Sequence, residues 1–248
     1  MRAINTRLLE IDVLRGVAIL AMAGFHLFFD LVFFAQSALD LYSFSSPFFW
    51  LGRIAAVLFV GLAGVSLYLR FWRRGLNLEK NKPFFDFVRR GIFIFGLGLL
   101  ITIFTFLFFP QNTVWFGVLH LIGIATILSI PLVNRPKLAG ALGLLVLILG
   151  IGISLGIFSG FPHWLAIFPF SFSTFDYFPL FPWLGVFWLG IFLGSVFYPN
   201  AKARFADLKA GFFSGALAFL GKNSLWIYFV HQPVLVAILA LTLGVKPF

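Results

Sequence analysis

Seven runs of about 20 predominantly apolar residues divide this chain, and a run of that length is what an α-helix needs to cross a ~30 Å hydrocarbon core. They fall at 11–35, 48–70, 87–109, 113–133, 138–158, 180–199 and 222–244. Inside a bilayer every backbone N–H and C=O must be paired within the segment or within a closed barrel, so long runs of this kind fold as helices. The expected fold class is therefore all-α: a polytopic integral membrane protein with about seven transmembrane helices. Composition agrees, since 61% of the 248 residues are hydrophobic and only 10% charged, against ~25% charged in an ordinary soluble domain. The stretch Gly211 to Val245 is too long for one crossing and Lys222 interrupts it. An interfacial amphipathic helix near 203–220 is expected before a last span that starts near Asn223. With no repeat and no composition break, residues 1–248 read as one transmembrane domain.

The net charge of +10 does not point to nucleic acid, because the basic residues sit in short clusters between apolar runs. Arg2 and Arg7 precede span 1. Arg70, Arg73, Arg74, Lys80, Lys82, Arg89 and Arg90 surround the connection between spans 2 and 3. Arg135 and Lys137 follow span 4, and Lys202, Arg204, Lys209 and Lys222 lie between spans 6 and 7. The intervening connections near 36–47, 110–112 and 159–179 hold no Lys or Arg. The positive-inside rule then predicts a cell-membrane protein with its N-terminus in the cytoplasm and its C-terminus outside. The chain has no cysteine, which excludes disulfides, thiolate metal sites and a cysteine nucleophile.

Ionisable groups inside a span are expensive and need a reason. The first span, "LRGVAILAMAGFHLFFDL" from Leu14 to Leu31, carries Arg15, His26 and Asp30. Eleven helical steps of ~100° bring His26 back to within ~20° of Arg15 and ~16 Å along the axis. Asp12 lies one turn before Arg15 and Asp30 one turn after His26, so the four share a face opposite Val17, Leu20, Ala21 and Phe28. Depth counting puts Arg15 at the cytoplasmic edge, His26 in the outer third, His120 of span 4 at a similar level, and His231 of span 7 nearer the middle. Three histidines from three helices are expected around one cavity.

An Asp one turn from a His suits a general base whose imidazole the carboxylate orients. A guanidinium at the inner mouth suits a phosphate. Each element also has a structural reading. Arg15 can pair with Asp12 or reach the headgroups, His26 with Asp30 can lock helices together, and His120 can be a packed, hydrogen-bonded histidine. The histidines lack metal-ligand spacing, and no metal is expected.

The stretch "EIDVLRGVAILAMAGFHLFFDL" resembles the first helix of the transmembrane acyltransferase superfamily, with Arg15 and His26 matching its Arg–His pair. The stretches "WFGVLHLIGIATILSIPL", "DYFPLFPWLGVFWLGIFLG" and "GKNSLWIYFVHQPVL" resemble prokaryotic relatives of the heparan-alpha-glucosaminide N-acetyltransferase catalytic domain. The resemblance implies acetyl-CoA or another acyl-CoA as donor substrate and a saccharide or glycolipid acceptor across the bilayer. Lysosomal members place a candidate acetyl-accepting histidine in the connection after the first helix, whereas "FAQSALDLYSFSSPFF" contains none. Direct transfer in a ternary complex is the expected route.

The reading that results is a membrane acyltransferase with His26 as base and Asp30 orienting it. Arg15, beside Asp12 and helped by Arg90, Lys222 and Asn223, is expected to hold the donor phosphates. His120, His231 and Gln232 are expected to serve the acceptor or the thioester, with Asp176 at the outer mouth. A homodimer is one assembly open to it. The competing classes are a proton-coupled transporter, or a flippase for lipid-linked sugars, that uses the same polar face, and an assembly factor whose polar residues only join helices.

Overall fold

The computed structural model describes residues 8–73, 82–157, 167, 173–201 and 211–244. Arg2, Arg7, Arg74, Lys80, Lys202, Arg204, Lys209, His163, most of the 159–178 connection and the 203–210 part of the expected interfacial helix lie outside them. Among the described residues the chain forms α1 (Leu9–Phe33), α2 (Pro47–Arg73), α3 (Lys82–Phe108), α4 (Val118–Leu128), α5 (Pro136–Ser154), α6 (Leu180–Phe197), α7 (Phe212–Lys222) and α8 (Ser224–Leu243). All seven apolar runs thus contain a helix. Six of these helices, all but α4 and α7, are long and apolar enough to cross a membrane.

Local chemistry sets the helix ends. Pro47 opens α2 and Pro136 opens α5, where a missing N–H costs nothing. The Ser46 hydroxyl oxygen accepts the Phe48 N–H at 3.2 Å, which caps α2. Asp40 closes the turn before it by accepting the Tyr42 and Ser43 N–H groups, each at 3.0 Å. Those bonds hold the Asp40 carboxyl below the usual carboxylate range, that from the Ser43 backbone foremost. Gly244, at φ 65°, supplies the left-handed residue that ends α8.

The fold divides into two compact units, Val60–Phe205 and Thr6–Phe59 with Ala206–Phe248. In the first, α3 packs on α4, and α5 on α6. A Cβ on Gly91 would meet Gly123 O at 2.7 Å and one on Gly98 would meet His120 Nδ1 at 2.9 Å, so α3 and α4 run antiparallel. Gly61 lies against Val186, Gly64 against Phe187 and Gly194 against Tyr68, so the contacts advance together and α6 runs parallel to the later part of α2. Small residues at such crossings let backbones touch where lipid gives no hydrophobic drive between helices. Parallel α2 and α6 require an odd number of crossings between them, which α3, α4 and α5 supply. At 11 residues α4 rises only ~16 Å, yet with its flanks it reverses the chain as the seventh crossing would. It starts later than the 113–133 run because residues 112–116 pair with 173–178, and it ends in turns over 129–133. Phe178 N–H reaches Phe116 O at 2.8 Å, and Phe175 N–H reaches Asn112 O at 3.1 Å.

In the second unit α1 is packed by α7 and α8. The interfacial helix expected near 203–220 is helical over Phe212–Lys222. It runs antiparallel to the start of α1: a Cβ on Gly16 would fall 2.1 Å from Leu217 O, and one on Gly221 would fall 1.7 Å from Asp12 O. The polar face of α1 is the packed face, with Asp12 and Asp30 buried, while Leu14, Val17 and Leu20 on the other side are exposed.

Candidate active site

Asp30 is fully buried on α1 and His26, one turn earlier, is half-buried. Their expected pairing is replaced by two other bonds. His26 Nδ1 lies 2.9 Å from the Met22 carbonyl, so Nδ1–H donates to it. Asp30 Oδ1 instead accepts from Gln232 Nε2 of α8 at 2.6 Å. A backbone carbonyl fixes the imidazole tautomer as a carboxylate would, with the proton on Nδ1 and the lone pair on Nε2.

The neighbouring residue on α8 repeats this arrangement. His231 Nδ1 donates to Tyr228 O at 2.5 Å. The rings of His26 and His231 meet edge to face with centroids 4.7 Å apart. Phe25 lies edge-on to His26 at 5.7 Å, and Tyr228, stacked on Phe59, lies 5.3 Å from His231. Among the described residues three buried polar atoms of this cluster have no hydrogen-bond partner: Asp30 Oδ2, Gln232 Oε1 and His231 Nε2. Pro233 follows directly and has no N–H, so the helix loses a bond beside the site.

The remaining expected site residues divide by unit. Arg15 Nη1 donates to Asp12 Oδ1 at 3.3 Å, so the guanidinium and the buried carboxylate are paired. Lys222 is exposed in the last turn of α7, where the helix dipole favours a cation. Asn223 Nδ2 donates to Phe219 O at 2.9 Å.

In the other unit Arg90 is exposed on α3, and His120, 2% exposed, is hydrogen-bonded through both ring nitrogens. Gly117 N–H donates to Nδ1 at 3.2 Å, and Nε2 lies 3.3 Å from Thr102 Oγ1, which donates to Val114 O at 2.6 Å. His120 thereby fills the role that Glu or Gln plays at the third position of a capped helix. Asp176 Oδ2 accepts the Val118 N–H at 3.2 Å and caps the same helix. His26 and His231 are thus in contact, while the bonds of His120 and Asp176 organise α4 within their own unit.

Sequence reasoning named Gln232 and Asp30 but not their bond, because 202 positions separate them. The carbonyls of Met22 and Tyr228 carry no side-chain signal at all. Among the described residues no group of three or more His, Asp or Glu side chains is placed to hold a metal ion.

An all-helical membrane protein with a histidine pair, a carboxylate and an amide buried among its spanning helices is the class that this fold and site define. Residues 7–233 match the family described as heparan-alpha-glucosaminide N-acetyltransferase, catalytic. The chain belongs to that family, whose activity is of the transmembrane acetyltransferase type. No curated protein and no solved structure matches it.

Proposed function

We propose that the protein transfers an acyl group, acetyl in the first instance, from cytoplasmic acyl-CoA to a hydroxyl or amine of a sugar-containing acceptor at the outer face of the cell membrane. The observation that carries this reading is His26, tied through Nδ1–H to Met22 O with Nε2 left as the basic nitrogen, in a chain of this family. His26 Nε2 takes the proton of the acceptor O–H or N–H as that atom attacks the thioester carbonyl. The C–S bond breaks, the C–O or C–N bond forms, and the proton passes to the departing CoA thiolate. A positioned base of this kind is worth about 10²–10⁴ in rate.

Arg15, Lys222 and Asn223 are the proposed donor-phosphate contacts, Arg15 keeping its bond to Asp12 when the donor is absent. The charge asymmetry of the connections supports an N-terminus inside and a C-terminus outside. Incubation of the purified protein in liposomes with acetyl-labelled acetyl-CoA and a saccharide panel tests the reading. Labelled saccharide is the expected product. Passage of saccharide across the bilayer with no acetylation would replace the acyltransferase with a transporter.

A further inference from the structure

The three unpartnered atoms beside the histidine pair have one chemical property in common. In its ionised form Asp30 accepts at Oδ2, and Gln232 Oε1 is the amide oxygen left when Nε2 faces Asp30. His231 Nε2 is the lone-pair nitrogen left when Nδ1–H faces Tyr228 O. All three are acceptors. A buried acceptor without a donor is costly, and Asp30 is completely buried. Among the described residues no Lys or Arg pairs with Asp30; Arg53 of α2 lies over the Phe49 ring at 5.2 Å.

We infer that Asp30, Gln232 and His231 form the subsite that recognises the acceptor, and that it takes a group bringing hydrogen-bond donors: the hydroxyl or ammonium groups of a saccharide. The phosphates and thioester carbonyl of an acyl-CoA are acceptors themselves and would meet these atoms lone pair to lone pair, and its pantetheine arm offers only isolated amide N–H groups where a saccharide offers several adjacent donors. The subsite therefore lies on the acceptor side of the reaction, and His231 binds the acceptor instead of polarising the thioester. Naming that side rests on the acyl-transfer reading, whereas the donor-seeking chemistry does not. Because the His26 and His231 rings touch, a saccharide group held on His231 Nε2 is brought next to the proposed base.

Two variants test this by changing polarity more than shape. Asp30→Asn keeps the volume and lets its carbonyl accept from Gln232, which turns the free oxygen into an NH2 donor. His231→Phe keeps a ring against His26 and removes Nε2. Binding of methyl α-glucoside and of glucosamine is measured without donor by equilibrium dialysis, and acetyl-CoA binding is measured alongside as the check on folding. Each variant is expected to bind the saccharides at least about tenfold more weakly, the scale of losing one hydrogen bond, with acetyl-CoA affinity kept within about twofold. Stronger binding of glucosamine than of methyl α-glucoside assigns an ammonium to Asp30; equal binding assigns hydroxyls. Unchanged saccharide binding in both variants, a loss confined to acetyl-CoA, or no binding of either saccharide to the unaltered protein overturns the proposal. Saccharide binding that depends on these residues without any acetyl transfer ends the acyltransferase reading and leaves the subsite standing.

Discussion

His26 of α1 and His231 of α8 present their rings edge to face at 4.7 Å, each with Nδ1 fixed by a carbonyl of its own helix. Each ring already carries a proton on Nδ1, and two imidazoles in such contact cannot both take up a second without mutual repulsion, so the pair does not become doubly cationic. His26→Ala is expected to lower acetyl transfer by about 10²–10⁴ while acetyl-CoA binding persists. Turnover and donor affinity, measured on the same folded sample, check it. Near-normal turnover would remove His26 as the base.

Arg15 and Asp12 make a second test, because the guanidinium is proposed to meet a phosphate while it neutralises a buried carboxylate. Arg15→Ala is expected to weaken acetyl-CoA binding and to lower stability, since truncation leaves the Asp12 charge buried and unpaired. Adding Asp12→Asn should restore most of the stability and none of the affinity. A double-mutant cycle read by thermal unfolding and calorimetry separates the two effects. Donor affinity that is unaltered throughout makes Arg15 a structural residue.

The seat of α7 on α1 predicts opposite outcomes for two glycines of one helix. Gly221→Ala drives a Cβ into the Asp12 carbonyl, whereas a Cβ on Gly215 meets nothing within 4 Å. The first is expected to cost about 1–3 kcal/mol as overpacking against backbone. The second should be neutral or stabilising by up to about 1 kcal/mol through helix propensity. Thermal unfolding in detergent compares them, and equal effects would contradict the packing.

His120 is expected to behave as part of the scaffold. Replacing it with Ala strands the Gly117 N–H and the Thr102 hydroxyl contact, a loss of about 1–3 kcal/mol for a buried unsatisfied group. Stability should fall while the folded fraction keeps its acetyl-CoA KM and a turnover within about tenfold. A stable His120→Ala protein without activity would instead place this histidine in the chemistry.

Sidedness can be read with single cysteines, as the chain has none of its own. Cysteines at Ser45 and Ser173, both exposed, should react with an impermeant thiol reagent outside intact cells. One at Asn77, in the basic connection between spans 2 and 3, should react only after permeabilisation. Labelling of Asn77 from outside would reverse the orientation and require donor and acceptor to enter from other sides than proposed.

The positions of the seven apolar runs and the polar face of α1 follow from residues close together in the chain. Lipid rewards hydropathy over about 20 consecutive residues, and the 3.6-residue period decides which of those residues share a face. The packed positions of Asp12 and Asp30, opposite Val17 and Leu20, were legible on that basis. The extent of α4 was not, because Asp176 and the 173–178 segment, distant in sequence, set where that helix begins. Nor were the partners inside the site. One-turn spacing favours Asp30 for His26, but helix packing sets Gln232 against Asp30 and leaves the Met22 carbonyl to hold the imidazole. Apolar runs show only that α1 and α8 lie in the same solvent; which face of one meets which face of the other depends on the fit of side chains across the contact. That contact gave His26 its neighbour His231 and left Asp30 Oδ2 without a donor.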